Sequence, residues 1–192
     1  MLKLFLLTLI LWTTSGFFPP KGIDFDNKSL LKELQKVSGT DKPERKEIQV
    51  PEALLVNSTT IQGKFYELLE AGNSDSKKYI YVGRVNGCRE GGCSNFSEPS
   101  LVETPEYFDY LIIFEPNLSV QQVKVYNYQA SHGQEVANKG WLKQFQGYDG
   151  SRSLTVGKSI DAISGATISV YGITNDVQEK THLLKKLLEA RN

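Results

Sequence analysis

Phe108-Asp109-Tyr110-Leu111-Ile112-Ile113-Phe114-Glu115-Pro116-Asn117 is the stretch on which the reading of this chain turns. Its first seven residues are apolar or aromatic apart from Asp109, a run compatible with a buried strand. Glu115-Pro116-Asn117 is turn chemistry, and Leu118 to Tyr128 resumes as a strand with Val123 and Val125 in alternation. Two strands joined by a turn make a hairpin. Upstream, Tyr79-Ile80-Tyr81-Val82 is β-branched and aromatic and stops at Gly83, which adds another strand. Downstream, Trp141-Leu142 and Phe145 suggest a short helix ending at Gly147. The carboxyl-terminal stretch is the clearest helix: Val170, Ile173, Val177, Leu184 and Leu188 recur at intervals of three and four or their sums. Lys185 and Lys186 suit its dipole. Gly172 marks a place where it would kink, and Thr174 a place where a second segment would be capped. The expected class is α+β: a small antiparallel sheet packed against helices, with a long C-terminal helix.

The amino-terminal third reads differently. Lys3 and the apolar run Leu4 to Trp12 resemble a secretory signal, expected to end near residue 18. The run is shorter than the roughly 20 apolar residues of a membrane span. Residues 19–74 read as an N-terminal helix and linker, and 75–192 as the main domain. Within the first of these, Ser29 would cap a helix carrying Leu30, Leu31, Leu34 and Val37, stopped by Gly39. Asp41-Lys42-Pro43-Glu44-Arg45-Lys46-Glu47 reads as a solvated linker, Phe65 to Glu70 as helical, and Ala71 to Lys78 as a polar loop.

Composition bounds the function. Among 192 residues, Lys+Arg and Asp+Glu are equal at 22 each, so the basic excess of a generic nucleic-acid binder is missing. The two cysteines, Cys88 and Cys93, enclose Arg89-Glu90-Gly91-Gly92. In an exported chain such a pair is expected to form a disulfide, the glycines letting so small a loop close. The spacing is not that of a thioredoxin-like dithiol, and Cys-x-x-Cys-His is absent. His132 and His182 offer no paired spacing for zinc, so no metal site is assigned.

The candidate site lies where the last helix begins, at Asp161-Ala162-Ile163-Ser164-Gly165-Ala166-Thr167. A helix start presents free N–H groups and partial positive charge, which suit a phosphate. Gly165 permits a sharp turn and close approach, Ala166 adds no bulk, and Thr167 offers a hydroxyl where a phosphate would sit. Ser164 and Ser169 add donors, and Asp161 would hold the turn through its own backbone contacts. A plainer reading stands beside this one: Ser164 simply caps the helix. Gly157-Lys158-Ser159 resembles the tail of a nucleotide P-loop, but Arg152 occupies the position that needs glycine. Nor does Ser164 sit in a Gly-x-Ser-x-Gly elbow.

The run Asp161 to Ser169 resembles the flavinylation motif of the FMN-binding domain family, which includes the G subunit of the Rnf complex and the C subunit of the sodium-translocating NADH:quinone reductase. The match falls on Asp161, Ser164, Gly165, Ala166 and Thr167, with Trp141-Leu142, Phe145, Gly147, the hairpin and the final helix also similar. The resemblance implies FMN held covalently by a phosphoester to Thr167, attached by a flavin transferase that uses FAD. It also implies electron transport with a membrane partner, in the periplasm or on the outer surface of the cytoplasmic membrane. This chain departs from the family at Ser131-His132-Gly133-Gln134-Glu135, where an Glu-Thr-Pro-Gly-type stretch is common. An electron carrier is expected rather than a stand-alone oxidoreductase. The alternative is a secreted, non-redox interaction module that keeps the fold without flavin.

Several other residues invite a role near such a cofactor. His132 would be a proton donor or an ordinary loop residue. Trp141 and Tyr148 would stack on the ring or pack in the core, and Arg84 would meet phosphate or form a surface ion pair.

Overall fold

The computed structural model describes residues 22–55, 61–70, 73–87 and 106–191. The expected leader at residues 1–18 and the Cys88/Cys93 pair lie outside these residues.

Five strands form one sheet in the order β1-β2-β3-β4-β5, every neighbouring pair antiparallel. They are β1 (Arg45–Ile48), β2 (Gly63–Glu70), β3 (Asn73–Asn86), β4 (Tyr107–Phe114) and β5 (Val120–Tyr128). Helix α1 (Lys28–Ser38) precedes them; the short α2 (Lys139–Leu142) and the 23-residue α3 (Thr167–Glu189) follow. The α+β class is as the sequence indicates.

Helices cover both faces of the sheet. On one, Leu30 and Leu34 of α1 pack with Tyr66, Leu68, Ile80, Val82, Leu111 and Ile113. On the other, Val170, Ile173, Val177 and Leu184 of α3 pack with Phe65, Tyr81, Val85, Phe108, Tyr110, Ile112 and Phe114. Each such side chain, fully buried, contributes about 1.5–3 kcal/mol of transfer free energy. Every residue of β4 is buried, which is why its sequence is apolar or aromatic throughout except at Asp109.

Asp109 is the exception in that run, and its charge is answered. Arg84 Nε donates to Asp109 Oδ1 at 2.7 Å and Nη2 to Oδ2 at 3.1 Å, while Asn127 Nδ2 reaches Oδ2 at 2.8 Å. The bidentate pair is enclosed, with the guanidinium 3.6 Å from the centre of the Tyr107 ring. The surface ion pair expected for Arg84 is therefore a buried one. On the opposite face Lys180, only 2% exposed, meets Asp176 at 2.7 Å, and Tyr110 Oη donates to the same carboxylate. Burial is the main reason the Tyr81 and Tyr110 phenols are held above their usual range, with Asp176 adding to it.

Local expectations met mixed fates. The cap of α1 is Asn27, whose Oδ1 accepts from Ser29 N–H at 2.9 Å, so Ser29 sits inside the first turn. Gly39 ends the helix in the left-handed region at φ 69°, as the sequence suggests. Residues 65–70 belong to strand β2, not a helix, and Arg45 to Glu47 of the charged run belong to β1. Asn73 to Lys78, read as loop, open β3. Around Trp141 the short helix is real: Asn138 Oδ1 caps α2 by accepting from Gly140 N–H at 2.7 Å, and a 3-10 turn continues it to Phe145.

Helix α3 runs unbroken through Gly172, and Thr174 begins no second segment. What Gly172 supplies is closeness: a Cβ there would lie 2.6 Å from Val85 Cγ1 of β3. Alanine normally favours a helix interior by about 1 kcal/mol over glycine. Gly172→Ala is expected to lose that gain and destabilise by about 1–2 kcal/mol in denaturant unfolding. In a Val85→Ala background the same change should become neutral or stabilising; equal effects in both backgrounds would refute the contact.

Glu33 fastens α1 to the far edge of the sheet. Lys124 Nζ approaches its Oε1 at 2.8 Å, Gln122 Nε2 its Oε2 at 3.3 Å, and Lys36 adds a contact at 2.8 Å. Desolvation works against ionisation, but hydrogen bonds from Lys124, Lys36 and Gln122 outweigh it and hold the carboxyl down at about 2. A depressed carboxyl stabilises the fold above its unfolded pKa and loses that contribution as pH falls through the folded value. The Glu33 contribution, on the order of 2–3 kcal/mol, should thus be complete above about pH 5 and vanish towards pH 2. The stability difference between wild type and Glu33→Gln, followed by urea unfolding, should shrink over that window; a difference constant with pH would contradict the assignment.

Candidate functional site

The chain between β5 and α3 is laid across one end of the sheet and pinned at several points. Val120 N–H donates to Tyr148 O at 2.7 Å, and Gly147 N–H to Val120 O at 2.8 Å, so the segment after α2 zips onto the free edge of β5. Tyr148 is 1% exposed and belongs to the core rather than to a ligand surface. Gly157-Lys158-Ser159 forms a closed turn, with Gly157 N–H bonded to Ile160 O at 2.7 Å and Ser159 Oγ accepting from Thr155 N–H at 2.8 Å.

Asp161 is held through its backbone. Its N–H donates to Gln144 Oε1 at 2.7 Å, and its carbonyl accepts from Trp141 Nε1 at 2.9 Å. Gln144 Nε2 in turn donates to Trp141 O at 3.1 Å, closing a clamp between the short helix and the approach to α3. Asp161 is exposed, and the groups that hold the turn are its main-chain N–H and carbonyl. Trp141 also packs edge-on against Phe145, centroids 5.5 Å apart, which fixes it as clamp and packing residue. Gln144 gave no signal in sequence, since a lone glutamine on a polar stretch is unremarkable.

Beyond the clamp the chain alternates between anchored and open positions. Ile163 packs on the core and Ala166 is fully buried, whereas Ser164, Gly165 and Thr167 are exposed. Ala166 N–H bonds to Ile163 O at 3.2 Å around Gly165, which takes φ 78°. A side chain there is strained whatever the space, although nothing lies within 4 Å of where a Cβ would be. Ser169 faces inward, its Oγ 3.4 Å from Tyr128 Oη. Tyr128 Oη donates to the carbonyl of His132 and its ring stacks on Phe108 at 5.5 Å. The His132 residue itself is exposed.

Helix α3 thus begins at Thr167 with Ala166 as its cap residue. No side chain caps it, and its first turn carries no acidic residue. Ser164 therefore does not fill the capping role that the plainer reading gave it. Thr167, exposed in the first turn, lies at the positive end of the helix dipole. An uncapped helix start of this kind suits a phosphate, and nothing lies within 4 Å of where a Cβ on Gly165 would sit. Among the described residues no cluster of three or more His, Cys, Asp or Glu side chains is arranged to hold a metal ion. No described helix is long and apolar enough to cross a membrane.

An uncapped helix start with an adjacent exposed threonine is chemically suited to a phosphate-bearing ligand. Residues 102–181, which run from the approach to β4 into α3, match the family model of the FMN-binding domain. Over these residues the chain is similar to FMN-binding domains, and the match supports flavin binding. No curated protein matches the chain.

The clamp generates a prediction of its own. Gln144→Ala removes the acceptor for Asp161 N–H and the donor to Trp141 O. Amide exchange at Asp161 and Ala166 should quicken about tenfold, the equivalent of about 1.4 kcal/mol of lost hydrogen bonding. Trp141→Phe keeps an aromatic ring but loses the Nε1 bond, and should fall between Gln144→Ala and wild type. Unchanged exchange in both variants would show that the segment is held by packing alone.

Proposed function

We propose that this protein is an exported electron carrier whose FMN is esterified through its phosphate to the Thr167 hydroxyl. The observation that carries the reading is an exposed Thr167 in the first turn of a helix with no side-chain cap, inside the region that matches the FMN-binding domain.

The chain's own groups have separable duties. Gly165 turns the backbone so that Thr167 emerges at the helix start, and buried Ala166 keeps that start seated on the core. The first-turn N–H groups neutralise phosphate charge. Trp141 and Gln144 fix the entry of the segment through Asp161. Once bound, the flavin supplies the redox chemistry, accepting and releasing electrons.

Attachment requires a partner enzyme, a flavin transferase that uses FAD. The Thr167 oxygen forms a bond to the FMN phosphorus, the pyrophosphate bond of FAD breaks, AMP leaves, and the hydroxyl proton passes to a base of the transferase. The apolar run Leu4 to Trp12 supports export, to the periplasm or the outer surface of the cytoplasmic membrane. There a covalent tether has a clear advantage: the effective concentration of the cofactor no longer depends on the surrounding solution. Electrons would pass to or from a membrane electron-transport partner.

The decisive measurement is intact mass after co-expression with a flavin transferase in an exporting host. Wild type should gain the mass of FMN less water, and Thr167→Ala should gain nothing while folding normally, because residue 167 is exposed. Wild-type protein without the adduct, alongside a control acceptor that the same transferase labels, would refute the reading.

A further inference from the structure

Helix α3 leaves one large aromatic ring at the surface. Tyr171 is 49% exposed, and among the described residues Leu69 is the other exposed large apolar side chain. Leu69 belongs to β2, whereas Tyr171 lies one helical turn beyond Thr167. A spacing of four places the two Cβ atoms about 5–6 Å apart on the same helix face. Helical side chains lean towards the amino terminus, so the surface that Tyr171 covers lies over the turn bearing Thr167. Its neighbour Val170 and the later Ile173 point the opposite way, into the core.

Other rings around this end of the sheet are engaged elsewhere. Trp141 is bonded to the Asp161 carbonyl and packed on Phe145. Tyr128 is stacked on Phe108 with its hydroxyl given to His132 O. Tyr148 is buried. A flat, largely apolar heterocycle tethered at Thr167 would find in Tyr171 an exposed aromatic face at the right spacing, and aromatic rings favour such offset contact.

We propose that Tyr171 is the flavin-ring contact of this protein: its phenol packs against one face of the isoalloxazine carried at Thr167. The proposal rests on the attachment argued above and goes beyond it by assigning where the ring lies. Tyr171 shields one face of the ring from water and leaves the other for the electron donor or acceptor.

The test reads the excited state of the bound flavin, not turnover. A phenol in contact gives one electron to the photoexcited ring and takes it back, which shortens emission without net chemistry. The full chain, exported and flavin-loaded, is compared with Tyr171→Phe, Tyr171→Leu, Tyr171→Trp and Tyr128→Phe by time-resolved flavin fluorescence, with adduct mass recorded for each. Tyr171→Phe and Tyr171→Leu should lengthen the mean lifetime about twofold or more, and Tyr171→Trp, an equally good electron donor, should restore the short lifetime. Tyr128→Phe should leave it unchanged. Adducts in every sample with equal lifetimes would overturn the ring contact while leaving the Thr167 attachment standing. A lifetime released by Tyr128→Phe instead would place the ring on the other side and overturn it too. Absence of the wild-type adduct would remove the attachment itself, and this proposal with it.

Discussion

Helix α3 is held to the sheet at a distance set by one missing side chain. At Gly172 the helix backbone comes so close to Val85 of β3 that a single added carbon would collide with it. That approach lets Val170, Ile173, Val177 and Leu184 interleave with the aromatic face formed by Phe65, Tyr81, Phe108 and Tyr110. Because Gly172 lies just over one turn from Thr167, the same contact fixes where the helix begins. Residues 161–166 then have to reach that point, and the backbone of Asp161 is caught on the way by Trp141 and Gln144. The place of exposed Thr167 is thus set by packing at a distance as well as by the turn that precedes it.

The site is also defined by what the protein leaves undone. Its buried charges are paired: Asp109 takes bonds from Arg84 and Asn127, and Lys180 meets Asp176 inside the core. Removing either partner of such a buried pair would strand a charge in a poor dielectric. At α1 the usual cap is in place, through Asn27. By contrast with α1 and α2, the start of α3 has no capping side chain. A helix otherwise so well packed keeps its positive end open, consistent with a phosphate completing it.

How much of this was legible in the sequence depends on whether the information was local. The hairpin from Phe108 to Tyr128 and the terminal helix were readable because turn chemistry and apolar spacing are properties of neighbouring residues. Strand β2 was not. Phe65 faces α3 while Tyr66 and Leu68 face α1, so a strand buried on both sides shows no clean alternation, and Phe65-Tyr66-Glu67-Leu68-Leu69 looks as helical as extended. Strand β1 was hidden for a different reason. It is an edge strand, and Arg45, Lys46 and Glu47 show the charge that suits an edge while resembling a linker.

The sequence by itself determined the antiparallel hairpin, the long final helix and the Ser164-Gly165-Ala166-Thr167 run, because each is written in short-range periodicity or in residue type. Only the tertiary structure decided that Ser164 caps nothing, that the Asp161 N–H is caught by Gln144, that Ala166 and Ser169 are buried, and that Arg84 is spent on Asp109. Those outcomes turn on partners 17 to 41 residues away in the chain, at Gln144, Asp109 and Tyr128. A hydrogen bond across such a separation exists only once the sheet and α3 have been brought together, and nothing in the local sequence encodes it.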